Sequence, residues 1–394
     1  MKRIVFTTCV VTVLALVLTT GFAITNTGEA KNLNSDRGVS VQGQSRQSEV
    51  RDLTIRLANL NARYQLSSKV ERGYLLAELS SVAATRRQIL SELMESDPAE
   101  VLRIALPARF GANMPAEVLE NIEQHVDLTG KLEVIYACSE TESHLSHFLN
   151  AGGRRLSLHF AGSVSSDFLT DSQVRVQGVE LGDGIALDST MLSSSTDTTQ
   201  TASVAVAPNT FGEQKVLVLL VNFQDKTTQP WTATQVHDVV FNQVNNFYKE
   251  SSYQQTWLTG DVFGWYTLPI SSATCDQNSI ATYAKQAATA AGVNLSAYNR
   301  YVYAFPTLSC GWTGWGTYGG SPSQAWINGS MSVRTVGHEL GHGFGLYHAR
   351  AMDCGADVVG SNCSYIEYGD SFDILGQSGV VAHSHAAQKE RVGW

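Results

Sequence analysis

Between positions 338 and 348 the chain runs His-Glu-Leu-Gly-His-Gly-Phe-Gly-Leu-Tyr-His, which sets three imidazoles and a carboxylate at spacings suited to a catalytic metal. On a helix His338 and His342 stand four residues apart, so both rings leave the same face one turn apart. Two neutral imidazole nitrogens at about 2.0–2.1 Å from one zinc ion fit that separation. Glu339 follows the first ligand and projects beside the metal, where a general base can take a proton from an activated water. Six further helical residues would turn position 348 off the ligand face. Gly345 removes that obstacle: lacking a Cβ, it can adopt positive φ, end the helix and turn the chain so that His348 returns as third ligand. Three protein ligands leave a fourth position open, the mark of a catalytic rather than a structural zinc. A surface helix that happens to be rich in histidine is the plain alternative.

These residues need a helix held beneath a sheet, and the flanking sequence supplies both. Residues 215–223 read Lys-Val-Leu-Val-Leu-Leu-Val-Asn-Phe, a continuous apolar run expected of a central strand buried on both faces. A helix is expected over roughly 233–250, carrying Val236, Val239, Val240, Val244 and Phe247. Strand-like segments follow at 255–258 and 263–268, then an Ala-rich helix at about 278–291 and a strand at 300–305. The ligand-bearing helix falls at about 333–344, packed beneath that sheet.

The histidine run is the extended zinc signature of the metzincin metalloproteases, and other segments narrow the resemblance. Tyr301-Val302-Tyr303-Ala304-Phe305-Pro306, Cys310-Gly311-Trp312 and Ala325-Trp326-Ile327-Asn328-Gly329 precede the helix. Glu367-Tyr368-Gly369-Asp370-Ser371-Phe372-Asp373-Ile374-Leu375-Gly376 and Gln388-Lys389-Glu390-Arg391-Val392-Gly393-Trp394 follow it. Residues 214–394 thus resemble the gametolysin family of secreted zinc endopeptidases, in a bacterial-type version. The resemblance implies an α+β fold: a metzincin-like catalytic domain with a twisted, mostly parallel sheet and an active-site helix. It implies Zn2+ held by His338, His342 and His348, with Glu339 as the catalytic base. In metzincins the edge strand above the cleft pairs with extended substrate, and 325–327 is the segment expected to do so.

One position departs from the family pattern. Metzincins carry a methionine in a tight turn beneath the metal, and here that position is Leu375; Met352 lies too close to His348 to replace it. The turn residue packs under the ligands without binding metal, so the swap is expected to cost less than about 1.5 kcal/mol. Some metzincins place a transition-state-assisting Tyr two residues further on, where this chain has Gln377, so oxyanion stabilisation would fall mainly to the zinc. His383 and His385 are possible accessory groups, although exposed polar residues leading into the last helix are the plainer reading. Relatives continue into β-rich sequence beyond the position of Trp394.

Upstream, Lys2 and Arg3 precede an apolar run at 4–18, and Gly21-Phe22-Ala23 offers small residues for cleavage. Residues 1–23 are therefore expected to be a signal peptide, with an uncleaved anchor as the alternative. The polar stretch 24–47 is expected to be disordered. Residues 48–130 show a helical apolar stripe that includes Leu53, Leu57, Leu60, Leu75, Leu79, Leu90 and Leu93. Residues 131–187 alternate as strands, notably at 155–160 and 173–179, and suggest a small β-barrel or sandwich. The Ser/Thr-rich stretch 188–213 reads as a linker open to an activating cut. Helices then strands ahead of a protease most simply form a pro-region that assists folding or blocks the cleft; a permanently attached binding domain is the alternative.

Of six cysteines, Cys9 falls in the signal peptide and five enter an oxidising compartment. Cys354 with Cys363 would close a short loop after the histidines, and Cys275 with Cys310 would staple the segments before the helix. Cys138 is then odd. Its thiolate could take the fourth metal position and hold the enzyme latent; an unpaired buried cysteine is the plainer reading. The chain's 394 residues, 43% of them hydrophobic, suffice for two or three domains with real cores. A net charge of −9 argues against a nucleic-acid partner, and no second apolar segment of membrane length suggests a stable membrane partner. The expectation is a secreted or periplasmic zinc endopeptidase, made as a zymogen, with protein or peptide as substrate. The alternatives are a secreted binding or adhesion protein on a degenerate protease scaffold, against which the intact Glu339 argues, and a peptidase confined to short peptides.

Overall fold

The apolar stripe ahead of residue 130 does form helices, which stack on one another before the chain turns to strands. The computed structural model describes residues 41–139, 143–165, 167–194, 209–377, 379 and 381–394. The expected signal peptide, most of the polar stretch after it and the middle of the linker lie outside the described residues. Arg46–Trp394 form one unit and Met1–Ser45 another. Helix α1 (Val41–Leu66) begins ahead of position 48, and Val50 is the first of its residues to reach the interior among those described. Helix α2 (Lys69–Ser96) packs on it through Leu57, Leu60, Leu75 and Leu79. Asp97 ends α2 and caps α3 (Pro98–Ile104), its side chain accepting from the Glu100 amide. A short α4 (Ala116–Leu119) follows. The helices are tied to the strands by a buried ion pair. Arg86 Nη2 donates to Glu123 Oε1 at 2.7 Å, and the Leu106 amide donates to the same oxygen at 2.8 Å.

Strand β1 (Gln124–Cys138) starts inside the stretch expected to be helical, because Val126, Leu128, Leu132 and Val134 alternate toward one core. It is followed by β2 (Ser143–Ala151), β3 (Arg154–Phe160), β4 (Gln173–Leu181), β5 (Gly184–Leu187) and β6 (Leu192–Ser194). The first half of β1 pairs with β4 and the second half with β2. Pairings β2–β3, parallel β3–β5 and β4–β5 close the ring. Residues expected as a barrel or sandwich are thus a closed barrel, filled by Leu149, Leu156, Val174, Val176, Ile185 and Leu187 among others.

The remaining chain builds a second sheet. Its strands are β7 (Gly212–Phe223), β8 (Thr256–Leu268), β9 (Arg300–Phe305), β10 (Gly314–Thr317) and β11 (Ser323–Asn328). Their order is β10-β11-β9-β7-β8, with every pair parallel except β10–β11. Along β7, Val216, Val218 and Leu220 face one side and Leu217, Leu219 and Val221 the other, which is why this strand reads as an unbroken apolar run. One face is covered by α7 (Gln277–Ala290) through Ile280, Ala281, Ala284 and Ala288. The other is covered by a helix that runs from α5 (Ala233–His237) through a π-helical stretch, 238–244, into α6 (Asn245–Ser251). Beside it lies α8 (Val333–Phe344), burying Val336, Leu340 and Phe344. A hairpin of β12 (Ala351–Asp353) and β13 (Ser364–Ile366) and a final α9 (Ala386–Val392) complete the fold. Both expected disulfides, Cys275–Cys310 and Cys354–Cys363, are formed.

Barrel and sheet share an edge. The end of β1 pairs antiparallel with β10, Ile135 opposite Thr317 and Cys138 opposite Gly314. This corrects the expected substrate-pairing edge: residues 325–327 lie in β11, which is interior between β10 and β9. β10 is the outer strand because Gly314 and Gly316 let it pass tightly over α8. A Cβ at Gly314 would fall 2.1 Å from Glu339 Oε1, and one at Gly316 would fall 2.9 Å from His342 Cβ.

Candidate metal centre

Helix α8 starts at Ser332, whose side chain accepts from the Thr335 amide, and ends at Gly345 with φ 94°. That left-handed turn redirects the chain as the glycine spacing requires, and His348 comes back against the helix. The three Nε2 atoms converge: His338 to His342 3.2 Å, His338 to His348 3.2 Å, and His342 to His348 3.1 Å. Cys138 Sγ lies 3.4 Å from the Nε2 atoms of His342 and His348, and all four ligand atoms lie within 4.8 Å of one another. A tetrahedral ion bonded at about 2.0–2.1 Å to nitrogen and about 2.3 Å to sulfur sets N···N edges of roughly 3.3–3.4 Å and N···S edges of roughly 3.5–3.6 Å. The three N···N edges and the sulfur's edges to His342 and His348 match that tetrahedron to within a few tenths of an ångström.

The far side of each ring shows why the Nε2 lone pairs point inward. His342 Nδ1 donates to Leu346 O at 2.8 Å, His348 Nδ1 to Glu367 Oε1 at 2.7 Å, and His338 Nδ1 to Ile374 O at 3.1 Å. Each such bond places the proton on Nδ1 and frees Nε2 as a ligand. Arg334 Nη1 also lies 2.5 Å from His338 Nδ1. A guanidinium only donates, so that contact and the Ile374 bond need opposite tautomers, and ligation through Nε2 selects the bond to Ile374. Burial pushes the pKa of all three imidazoles down, assisted at His338 and His342 by their neighbouring histidines, so the rings are neutral. Burial also pushes the Cys138 thiol and the Glu339 carboxyl well up. A divalent cation among the rings reverses that logic, because its charge stabilises thiolate and carboxylate alike. The donor set, its spacing and its tautomers fit a metal ion.

Glu339 lies on the same face and is 2% exposed, with Oε2 bonded to nothing. A buried carboxylate oxygen without a partner beside a metal-shaped cluster is suited to holding a proton in transit. Leu375 is fully buried in a turn closed by Gly376 N to Asp373 O at 3.0 Å, with Asp373 Oδ1 accepting from the Leu375 amide. Its side chain abuts α8 at Gly341, where a Cβ would sit 3.0 Å from Leu375 Cδ1. His383 and His385 are not brought to the centre. The first lies beside Glu250 and Phe247, and the second caps α9.

Several residues at the centre carried no sequence signal of their own. Tyr136 stacks on His342 with ring centroids 4.5 Å apart. It shares a strand face with Cys138 two residues on, so β1 lays both on the ligand cage. Glu367 and Tyr368 were visible only as part of the run 367–376, and nothing in their spacing placed them against His348.

A mostly parallel, helix-covered sheet thus presents three convergent imidazoles beside a buried carboxyl group. Residues 215–394 match the family described as gametolysin peptidase M11. No curated protein matches the chain. A solved structure titled "Structure of a chaperone-substrate complex" aligns over 54% of this chain and 31% of its own, at 16% identity and a TM-score of 0.26. The present chain thus spans about a third of that one, and so low a score supports no argument. Two disulfides fit an oxidising compartment. No helix among the described residues is long and apolar enough to cross a membrane.

Proposed function

We propose that the chain is a secreted zinc endopeptidase made as a zymogen, latent because the barrel's first strand blocks its site. The observation that carries this reading is the position of Cys138, whose sulfur joins His338, His342 and His348 in one buried, metal-sized cluster. Zinc held by His338, His342 and His348 would supply Lewis acidity toward a scissile carbonyl and an attacking water. Glu339 takes the proton from the attacking water and passes it to the leaving amine. The protein's other contribution is alignment. β1 runs antiparallel to β10, and an extended peptide taking its place would use the same row of backbone groups on 314–317. Activation then requires a cut near the linker, followed by departure of β1 with Cys138.

The test is hydrolysis of casein by protein of known zinc content, before and after limited proteolysis. The wild type is expected to gain activity on processing and to lose it with a chelator. Glu339→Ala is expected to keep its zinc and stay inactive. Cys138→Ser in the full chain is expected to shorten or abolish latency, and unchanged latency would remove the thiol from the scheme. Zinc-loaded, processed wild type without hydrolysis would favour a binding protein on a protease scaffold.

A further inference from the structure

Tyr368 occupies a position that packing alone does not explain. It follows Glu367 directly and adopts φ 57°, a left-handed conformation that costs a tyrosine of order 1–3 kcal/mol unless its surroundings demand it. The ring lies against His348 with centroids 4.2 Å apart and 6.0 Å from His338. The residue is 7% exposed, and among the described residues its buried hydroxyl has no partner but the sulfur of Cys138. That hydroxyl faces Cys138 and Glu339, and the three residues line one cavity with His338, Arg334 and Thr335. A phenylalanine would fill the same space without burying an O–H whose one neighbour is a weakly accepting sulfur. Strain and buried hydroxyl converge on one point: the Cys138 sulfur beside the three imidazoles.

We propose that Tyr368 is a catalytic residue of the peptidase, donating its O–H to the scissile carbonyl oxygen as negative charge gathers there. The inference rests on the peptidase reading above. No proton changes hands at Tyr368: the phenol donates a hydrogen bond, while Glu339 moves the proton from water to the leaving nitrogen. In the latent chain the same O–H faces the sulfur of Cys138. The site, which has glutamine rather than tyrosine at position 377, thus has a phenolic donor at Tyr368.

The experiment compares wild type and Tyr368→Phe, each expressed as the full chain, processed by limited proteolysis and assayed for metal content. The substrate is a casein-derived peptide that the wild type cuts, and the probe is its phosphinic analogue, whose tetrahedral phosphorus carries the charged oxygen. Loss of one preorganised donor to a developing oxyanion is expected to lower kcat by roughly 10²–10³-fold. KM should stay within about twofold. Affinity for the phosphinic peptide, read by calorimetry, should fall by a factor similar to kcat, because only the tetrahedral state uses the donor. Unchanged kcat, or a fall in kcat with undiminished phosphinic affinity, overturns the proposal. Loss of metal or of cooperative unfolding in Tyr368→Phe also overturns it, by making the hydroxyl structural. Wild type that holds metal and is processed yet cuts nothing defeats the peptidase reading itself, and this inference with it.

Discussion

At His348 the ligating nitrogen is half of the ring, and Glu367 governs the other half. Its Oε1 accepts from His348 Nδ1 at 2.7 Å and from Ser143 Oγ at 2.7 Å, while Oε2 accepts from Arg350 Nε at 2.6 Å. Burial opposes the charge on this carboxyl, yet hydrogen bonds from His348, Ser143 and Arg350 hold its pKa down at about 2. Glu367 is therefore ionised at neutral pH, and it both orients the imidazole and makes it a stronger donor to a metal. Glu367→Gln keeps the shape and removes the charge. It is expected to weaken metal binding by roughly 10–100-fold, measured by competition with a chromophoric chelator. An affinity equal to wild type would show that the turn after Gly345 positions His348 unaided.

The turn 373–376 and α8 form one packed element pair. Ile374 O accepts from the His338 ring, and Leu375 lies fully buried against the helix at Gly341. Packing of this kind depends on volume more than on the sulfur of the methionine that metzincins place here. Leu375→Met should therefore cost less than about 1.5 kcal/mol, whereas Leu375→Ala should cost roughly 2–5 kcal/mol. Urea unfolding at fixed metal concentration separates the two, and a Met variant as unstable as the Ala variant would point to a requirement for branching rather than bulk. Gly341 bears on the same packing: a Cβ there would sit 3.0 Å from Leu375 Cδ1, so the leucine side chain would have to shift by a few tenths of an ångström to admit one.

At the scale of the whole molecule, the barrel is the part that holds β1 against β10, so its stability bears on latency. His147 lies in β2 at 8% exposure with its ring against Phe160, and burial pushes its pKa down to about 4. In the unfolded chain an imidazole titrates near 6.5. Between those values the unfolded state binds a proton that the folded barrel refuses, so stability falls as pH drops from about 6.5 to about 4. The loss is about 1.4 kcal/mol per pH unit, on the order of 3 kcal/mol across the window. His159, also shifted down by burial, acts in the same direction. Thermal unfolding of the full chain is expected to show a Tm that declines through this window, with His147→Leu flattening the decline. Parallel curves for the two proteins would mean that other groups set the acid response.

Neighbour-to-neighbour periodicity made much of the catalytic half legible. The i, i+4 histidines, Gly345 beyond them, the unbroken apolar run of β7 and the short Cys354–Cys363 spacing depend on residues close in sequence, where helix pitch and strand pleat fix direction. The sequence alone thus determined that three imidazoles would converge, and which carboxylate would stand beside them. Only the tertiary structure decided what closes the fourth corner. Cys138 lies 204 residues before His342, and its arrival depends on a closed barrel, on the register of β1 with β10, and on two glycines thin enough to let β10 pass over α8. The edge strand, Glu367 and Tyr368 were illegible for the same reason. Their roles come from packing between distant segments, which no local pattern of residues encodes.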